Sequence, residues 1–254
     1  MTIFLRKLPE SSKNFLRPIK NFMMKVCYYG HKRYCPVCGN FSRKFRHFGL
    51  LPREDAQCVI CGALERHRFL WVYLQKRTNL FEKKPKHVLH VAAEQCYEQT
   101  FRELFGQGYL TADLHNPAAM VKMDITNIQY PDQSFDVIFC NHVLEHIHND
   151  ILAMSELLRV LKNDGWAILL VPITSEKTFE DPTITNPLDR RDAFGQEDHV
   201  RRYGPDYADR LRKAGFLVKI TKSDDLFKDN EIIEFGLSQG KQNIYHCTKK
   251  STNV

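Results

Sequence analysis

From His87 onward, short apolar runs alternate with segments whose apolar residues recur at helical spacing. We predict seven strands, at His87–Ala92, Tyr109–Leu114, Val121–Ile125, Phe135–Asn141, Trp166–Ile173, Leu217–Lys222 and Ile244–Thr248. The fourth is apolar on both faces apart from Asp136, as expected of a central parallel strand covered by helices. This alternation indicates an α/β fold with a doubly wound sheet.

Residues 148–166 carry a clear helical pattern, in which five apolar residues form one stripe. Asp150 is the predicted N-cap of this helix, and Gly165 is its predicted C-terminal stop. A further helix is predicted at Asp206–Ala214. Residues 63–81 also repeat apolar positions near helical spacing, and we predict a helix there that docks the N-terminal part onto the body.

Residues 1–30 place apolar side chains among lysines and arginines, with Pro18 as a weak point in any helix. An amphipathic helix packed on the body and one lying on a membrane surface both fit, so peripheral membrane contact stays open. No run reaches the eighteen or so apolar residues of a membrane span, and the N-terminus lacks the apolar core of a signal peptide. We expect a cytoplasmic protein without a transmembrane segment.

The net charge of +7 hides an asymmetry. Residues 1–86 carry 19 Lys and Arg against 5 Asp and Glu, which gives +14, while the remainder carries 18 against 25, which gives −7. A basic head of this kind suits phosphates, an anionic membrane surface or the acidic body, and it equally suits a solvated face.

Four of the eight cysteines form two CxxC pairs, each followed by glycine. They are Cys35 with Cys38 and Cys58 with Cys61. A two-residue gap lets both thiolates of a pair face one ion, and glycine suits the tight turn that aims backbone amides at the sulfurs. We predict a structural zinc ribbon, because four sulfurs leave no ligand position for water.

Between the two pairs, residues 41–48 interleave basic residues with phenylalanines. Such a segment can follow a phosphate backbone and stack bases, or it can be the hairpin of the ribbon with the aromatics as its core. Arg66, His67 and Arg68 follow the second pair, where contact with a substrate and a solvated helix face are both open.

Polar residues end the first four predicted strands, at the sheet edge where ligands of such folds lie. They are His90 and Glu94, then Asp113, then Asp124, then Asn141 and His142. A carboxylate at the position of Asp113 is placed to accept both hydroxyls of a ribose, and Asp124 could accept from an adenine amino group. Their joint occurrence favours a nucleotide-like cofactor.

The segments HVLHVA, YLTADL, VKMDIT, PDQSFDVI, NHVLEH and RVLKNDGW, in this order, resemble class I S-adenosylmethionine-dependent methyltransferases of the type 11 group. A subset of that group also carries a four-cysteine ribbon ending in a segment like CGALERHR. The resemblance implies a Rossmann-like seven-stranded sheet with its last strand antiparallel. It also implies S-adenosylmethionine. Together with the charge pattern, it leads us to predict three parts: a basic amphipathic segment 1–30, a zinc ribbon with docking helix 31–85 and a methyltransferase domain 86–254.

Carried over by position, the resemblance assigns roles to most strand ends. Asp113, with Leu114 beside it, would hold the ribose, Asp124 with Ile125 the adenine, and Asn141 with His142 the region near the methionine moiety.

The sequence departs from the family in the turn after the first strand. The family's acid falls at His90, and its three glycines fall at Ala92, Glu94 and Cys96. Alanine at the first position is expected to cost little, since it adds one methyl group. Glu94 either faces the methionine end of the cofactor, where its charge could pair with the ammonium group, or turns away.

A polar cluster at residues 194–203 follows a loop rich in Pro and Asp, near the edge where an acceptor would enter. We predict His199 as the base and Arg201 as the group that orients an anionic or polar acceptor, against an ordered, salt-bridged loop and cap as the structural alternative. For His146, catalysis and a hydrogen bond to a backbone carbonyl are both open.

Three functions follow. The first is methyl transfer to a small molecule or saccharide. The second is an RNA methyltransferase that uses the basic head to bind phosphates. The third is a zinc-ribbon adaptor without catalysis.

Overall fold

The computed structural model describes residues 22–49, 52–84, 86–237 and 243–250. The chain divides into two compact units. Of the described residues, the first unit takes those up to Leu80 together with Leu226 to Leu237, and the second takes the rest. Of the predicted segment 1–30, residues 1–21 lie outside the described residues. Residues 22–27 are helical.

Strands and helices are numbered separately, each in chain order. The strands are β1 Arg33–Cys35, β2 Asn40–Ser42, β3 Arg46–Phe48, β4 Arg53–Gln57, β5 Val88–Val91, β6 Tyr109–Asp113, β7 Val121–Lys122, β8 Phe135–Asn141, β9 Leu161–Leu170, β10 Phe179–Glu180, β11 Arg201–Arg202, β12 Leu217–Lys222 and β13 Asn243–Thr248. The α-helices longer than one turn and wholly described are α1 Glu65–Arg77, α2 Gln95–Phe105, α3 Asp150–Val160, α4 Pro187–Phe194, α5 Tyr207–Lys213 and α6 Asp229–Glu234.

The first unit consists of two antiparallel hairpins, β1 with β2 and β3 with β4, followed by α1. Its centre contains a fully buried arginine, Arg68. The guanidinium donates to the carbonyls of Ala56 and Ala63 near the second cysteine pair and to those of Phe235 and Gly236 after α6. Neither expected role of Arg68, substrate contact or solvated face, is right, because its donors cross-link the backbone of this unit.

Residues 226–237 are therefore far in sequence from the ribbon but part of its unit. The sequence prediction placed them in one continuous domain, 86–254. The hydrogen bonds from Arg68 to Phe235 and Gly236 give the physical reason for the difference, because they satisfy backbone carbonyls that end the last turn of α6.

The second unit is built on one mixed seven-stranded sheet with the order β12-β13-β9-β8-β5-β6-β7. The strand β13 is antiparallel to both of its neighbours, while β5 to β9 run parallel to one another. The predicted Rossmann-like α/β fold is confirmed, including the antiparallel last strand. The central strands β5 and β8 are buried along nearly their whole length, as their apolar runs require.

Most predicted strand positions agree with the structure, and Phe135–Asn141 and Leu217–Lys222 have the predicted bounds. The third strand is shorter than predicted and ends at Lys122. The fifth begins earlier and ends earlier than predicted, at Leu161 and Leu170.

The helix α3 begins with a different cap from the predicted one. The side chain of Asn149, not Asp150, accepts from the backbone N–H of Leu152, at 3.1 Å. The carboxylate of Asp150 is instead buried and accepts from Arg210 and Tyr203. Sequence alone could not choose between two adjacent capping residues, because the partners of Asp150 are more than 50 positions away.

Gly165 does not stop a helix. The helix α3 ends at Val160, and Gly165 lies inside β9, where a Cβ atom would come within 2.7 Å of the Asp136 carbonyl oxygen. The glycine is thus required by the close approach of two strand backbones.

No helix within the described ranges combines the length and the apolar composition that crossing a bilayer takes.

Candidate functional site

The sheet of the second unit has a topological switch point between β5 and β8. From β5 the chain continues to β6 on one side, and from β8 it continues to β9 on the other. Ligands of open α/β sheets bind at the carboxyl ends of the strands at such a point. The side chains that follow β5 and β8 therefore define the candidate site.

The turn after β5 contains a strained residue. Ala92 has φ of 47°, in the left-handed region that favours glycine, and its N–H donates to the Ala112 carbonyl oxygen at 2.8 Å. Alanine at this position was expected to cost little. The structure corrects that expectation, because the cost lies in the backbone conformation rather than in the space that the methyl group takes.

Glu94 turns its carboxylate toward the two central strands. Its Oε2 lies 2.6 Å from Nε2 of His90, and its Oε1 accepts from Nδ2 of Asn141 at 3.1 Å. His90 itself is fully buried in β5. It therefore positions Glu94, and its predicted part in cofactor binding would be indirect, through that carboxylate.

The hydrogen bonds of His90 define its tautomer. A carboxylate only accepts, so Nε2 of His90 carries the proton that it donates to Glu94. The Nδ1 atom then accepts from the hydroxyl of Tyr109, 2.8 Å away, and burial raises the pKa of that phenol so that it stays protonated. A longer 3.4 Å contact from the Glu94 N–H to Nε2 would need the opposite tautomer, and the much shorter contact decides between them.

Asn141 and His142 carry unsatisfied polar atoms at the end of β8. Asn141 is 4% exposed, and its Oδ1 has no hydrogen-bond partner among the described residues. His142 has φ of 56°, and its Nε2 is likewise buried without a partner in this part of the chain. Buried polar atoms of this kind call for a partner such as a ligand or water.

Asp113 ends β6 with one carboxylate oxygen engaged and the other available. Its Oδ1 accepts from the N–H groups of His115 and Asn116, both at 2.8 Å, while Oδ2 has no partner in the described part of the chain. The carbonyl of Asp113 also accepts from Met123 N–H, which brings Asp124 to the same sheet edge. The predicted ribose interaction with both oxygens would therefore compete with the turn at Oδ1.

Asp124 uses its Oδ1 to accept from the N–H and the hydroxyl of Thr126. Its neighbour Ile125 is buried at 3% exposure, whereas Leu114, next to Asp113, is 37% exposed. The buried side chain of Ile125 thus packs in the core of the unit.

A second group of titratable side chains combines the turn after β8 with a residue much later in the chain. Glu145, His146 and His199 each offer a ligand atom within 4.8 Å of the other two. His199 is 6% exposed, and burial, with His146 beside it, lowers its pKa, so the imidazole is neutral at pH 7. Glu145 was not among the predicted site residues, since its contact with a residue more than 50 positions away leaves no local signal.

The side chain of Arg201 is committed to the protein itself. Its guanidinium donates to the carbonyls of Leu144, Ile147 and His148 and to the carboxylate of Glu180. Four of its five N–H donors are thereby used, and the residue is 3% exposed. In this arrangement Arg201 shapes the turn that carries Glu145 and His146, and it has no free fork for the acceptor that we predicted it to orient.

A polar cavity of about 600 Å³ lies beside that turn, lined in part by Arg201, Asp150, Glu180 and Arg210. The carboxylate of Asp150 is buried, but the hydrogen bonds from Arg210 and Tyr203 and the charge of Arg201 outweigh burial and lower its pKa. None of Asp113, Asp124 or Asn141 lines the cavity, so it is separate from the switch point.

The four cysteines of the two CxxC pairs come together in the first unit. The sulfurs of Cys35 and Cys61 are 3.6 Å apart, and those of Cys38 and Cys58 are 3.8 Å apart. Gly39 and Gly62 both have positive φ, as expected of tight turns, and they donate their N–H to the first cysteine carbonyl of their pair. A disulfide is excluded at these separations, because bonded sulfurs lie about 2.05 Å apart.

Within residues 41–48, one aromatic ring is core and two are exposed. Phe45 is 2% exposed, and the Cζ atom of the Arg68 guanidinium lies over its ring, 4.2 Å from the ring centroid. Phe41 and Phe48 are 46% and 41% exposed. Phe45 therefore serves as core of the hairpin, as one interpretation expected. Phe41 and Phe48 are exposed, and nucleic-acid binding by this segment stays a prediction.

A known family model matches part of the second unit. Residues 87–169 match the family model described as "Methyltransferase domain". The match covers β5 to β9 and thus the switch point with Glu94, Asp113, Asp124 and Asn141.

Individual relatives are more distant. An uncharacterised protein of Methanocaldococcus jannaschii is 35% identical over 74 residues, which are 27% of this chain and 32% of that protein. The matched segment is thus about a third of the relative's length.

Solved structures are similar at low sequence identity. A 1,6-didemethyltoxoflavin-N1-methyltransferase of Burkholderia thailandensis, with S-adenosylhomocysteine bound, is 15% identical, with a TM-score of 0.48 over 66% of this chain and 72% of that one. A SAM-dependent methyltransferase of Archaeoglobus fulgidus is 16% identical, with a TM-score of 0.45 over 74% and 95% of the two chains.

Proposed function

We propose that this protein is an S-adenosylmethionine-dependent methyltransferase. One observation carries the proposal. In the segment that matches the methyltransferase domain, Glu94, Asp113, Asp124 and Asn141 all end parallel strands or follow them at one sheet edge, across the switch point. Four of the predicted cofactor residues thus lie along one sheet edge, and His90 supports Glu94 from within β5.

The proposed binding mode uses the atoms that the protein leaves open. The Oδ2 atom of Asp113 accepts from the ribose, and Asp124 accepts from the adenine amino group. At the other end, the Oδ1 atom of Asn141 accepts from the ammonium group of the methionine moiety, beside the charge of Glu94. Glu94 thereby supplies the carboxylate that the family places at the position of His90.

The cofactor supplies a methyl group on a sulfonium that is already activated, so the protein must align a nucleophile with it. The S–C bond breaks as the bond from the acceptor atom to the methyl carbon forms, and the acceptor proton passes to a base. Because Nδ1 of His199 faces the Phe194 carbonyl at 3.3 Å, only Nε2 of this predicted base is free to act.

Calorimetry with S-adenosylhomocysteine tests the proposal. We expect binding to the full chain, and Asp113→Ala should weaken it by about 10- to 100-fold, since a hydrogen bond to a charged group contributes about 1.5–3 kcal/mol. Asp132→Ala, which removes an exposed carboxylate outside the site, is the matched control. No heat with the wild-type chain would contradict the proposal and favour the adaptor.

We also propose that the four cysteines hold a structural zinc ion. In a tetrahedral site with Zn–S distances of about 2.3 Å, neighbouring sulfurs lie about 3.8 Å apart. The observed 3.6 and 3.8 Å separations fit this geometry, and four thiolates match the preference of zinc for sulfur.

For the acceptor we propose a small molecule or saccharide. The cluster of Glu145, His146 and His199 supports this choice, because a compact group of two imidazoles and one carboxylate suits a single small polar group better than a row of phosphates. An RNA acceptor remains the second candidate on the exposed Phe41 and Phe48 beside basic residues. Transfer of labelled methyl to fractionated small molecules or to RNA discriminates the two.

A further inference from the structure

We propose that Glu145, His146 and His199 form a second metal site, which binds a divalent transition-metal ion with one coordination position left open. The ligand atoms are Oε2 of Glu145 and Nε2 of each histidine. Two histidines and one glutamate are a common set for Zn²⁺ in sites that keep an open position. The site lies in the second unit, apart in sequence from the four cysteines.

The first support is an orphaned carboxylate oxygen. Glu145 is 2% exposed, and its Oε2 is buried with no hydrogen-bond partner in the described part of the chain. Its other oxygen, Oε1, lies 3.6 Å from Nδ1 of His142. A buried anionic oxygen without a donor is costly, and a cation supplies the missing interaction.

The second support is the way in which both histidines are held. The Nδ1 atom of His146 lies 3.3 Å from the backbone oxygen and 3.3 Å from a carboxylate oxygen of Asp198. The Nδ1 atom of His199 lies 3.3 Å from the Phe194 carbonyl. Metal-binding histidines characteristically donate their second ring N–H to a carbonyl or carboxylate in this manner, which directs the lone pair of Nε2 at the ion.

The third support is the rigidity of the frame. The N–H of Val200, next to His199, donates to the Glu145 carbonyl at 2.9 Å, and the guanidinium of Arg201 cross-links the carbonyls of Leu144 and Ile147. Each of the three residues offers a ligand atom within 4.8 Å of those of the other two. Zinc at about 2.0–2.1 Å from each would need separations of about 3.3 Å, which small side-chain rotations supply.

The open position gives the site a use that rests on the proposed methyltransferase function. The turn that carries Glu145 and His146 follows β8 and Asn141, so the ion would stand on the acceptor side of the cofactor. An oxygen of the acceptor would occupy the open position, where a metal-bound hydroxyl would release its proton to solvent water more easily than a free one. His199 would then be a metal ligand instead of the base.

Metal titration of the purified full chain tests the site. The chain is stripped with a chelator and titrated with Zn²⁺, and bound metal is then counted after desalting. We expect about two ions per chain, one for the cysteines and one for this site. Glu145→Gln and His199→Ala should each reduce the count to about one, while His148→Ala, which removes an exposed neighbouring imidazole, should leave it unchanged.

Replacing Zn²⁺ with Co²⁺ separates the two sites by spectroscopy, because thiolate-to-cobalt charge transfer arises only at the cysteines. His146 is a more exposed ligand, so His146→Ala serves if His199→Ala does not fold. It should weaken binding of the second ion by at least about tenfold. A wild-type count of one ion, or equal binding by wild type and the ligand variants, overturns the site. Binding of S-adenosylhomocysteine, measured in the same samples, reports on the proposed function separately.

Discussion

At the scale of single residues, the turn after β5 shows how one family position can be replaced by several others. The family that the sequence resembles has an acid where this chain has His90, and Oε2 of Glu94 lies 2.6 Å from Nε2 of that histidine. Ala92, at the position of that family's first glycine, has a left-handed backbone with φ of 47°. The sequence showed that the glycines were absent, but only the structure showed that the backbone path through Ala92 kept a glycine-like conformation.

Ala92→Gly tests whether this backbone is strained. Glycine relieves a left-handed conformation that costs about 1–2 kcal/mol in alanine, and it adds unfolded-state entropy of roughly 0.5–1 kcal/mol. We expect a net rise of roughly 0.5–1 kcal/mol in the free energy of unfolding, measured by urea denaturation. Ala93→Gly, at a residue outside the positive-φ positions, should lower it instead. A loss of stability in Ala92→Gly would contradict the strain.

At the scale of elements, the turn between β8 and α3 depends on contacts from far along the chain. Its backbone carbonyls accept from Arg201, and Asp150 at the start of α3 accepts from Tyr203 and Arg210. Burial alone would raise the pKa of Asp150, and these donors lower it overall. The sequence correctly indicated a helix at this point, but we predicted the wrong capping residue. The residues that engage the turn and Asp150 lie in β11, in α5 and between these two elements, where the local sequence gives no sign of them.

Arg201→Lys should loosen this turn. Lysine keeps the charge but cannot reproduce the fork, so about three hydrogen bonds to buried carbonyls are lost and about 3 kcal/mol of stability with them. Urea denaturation measures the loss, and hydrogen exchange should rise over residues 144–148. Arg191→Lys, at an exposed arginine, is the control and should change neither. Unchanged exchange in Arg201→Lys would show that the turn does not depend on the guanidinium.

At the scale of the whole molecule, the chain joins two units that differ in what stabilises them. The second has a seven-stranded sheet with a continuous apolar core. The first has short hairpins packed with the buried face of α1, together with the cysteine cluster and the hydrogen bonds of Arg68. Small modules of this kind usually need a metal to fold.

Loss of the cysteine site should therefore act on the first unit. In Cys58→Ser the zinc content should fall by about one ion per chain, and limited proteolysis should cut within residues 31–64 while residues 87–222 stay protected. Cys96→Ser, at a cysteine outside the cluster, is the control. Undiminished zinc in Cys58→Ser would show that the metal is held elsewhere.

The sequence by itself determined the sheet strands, the cysteine pairs and the acids at the strand ends, because each leaves a local signal in periodicity or spacing. Phe135–Asn141 and the turn glycines Gly39 and Gly62 needed no distant contact to be recognised. Tertiary structure alone decided that residues 226–237 join the ribbon unit, that Arg201 serves the backbone and that His199 meets Glu145. Those outcomes depend on which distant segments share a buried space, where an unpaired charge or carbonyl is too costly to leave unsatisfied.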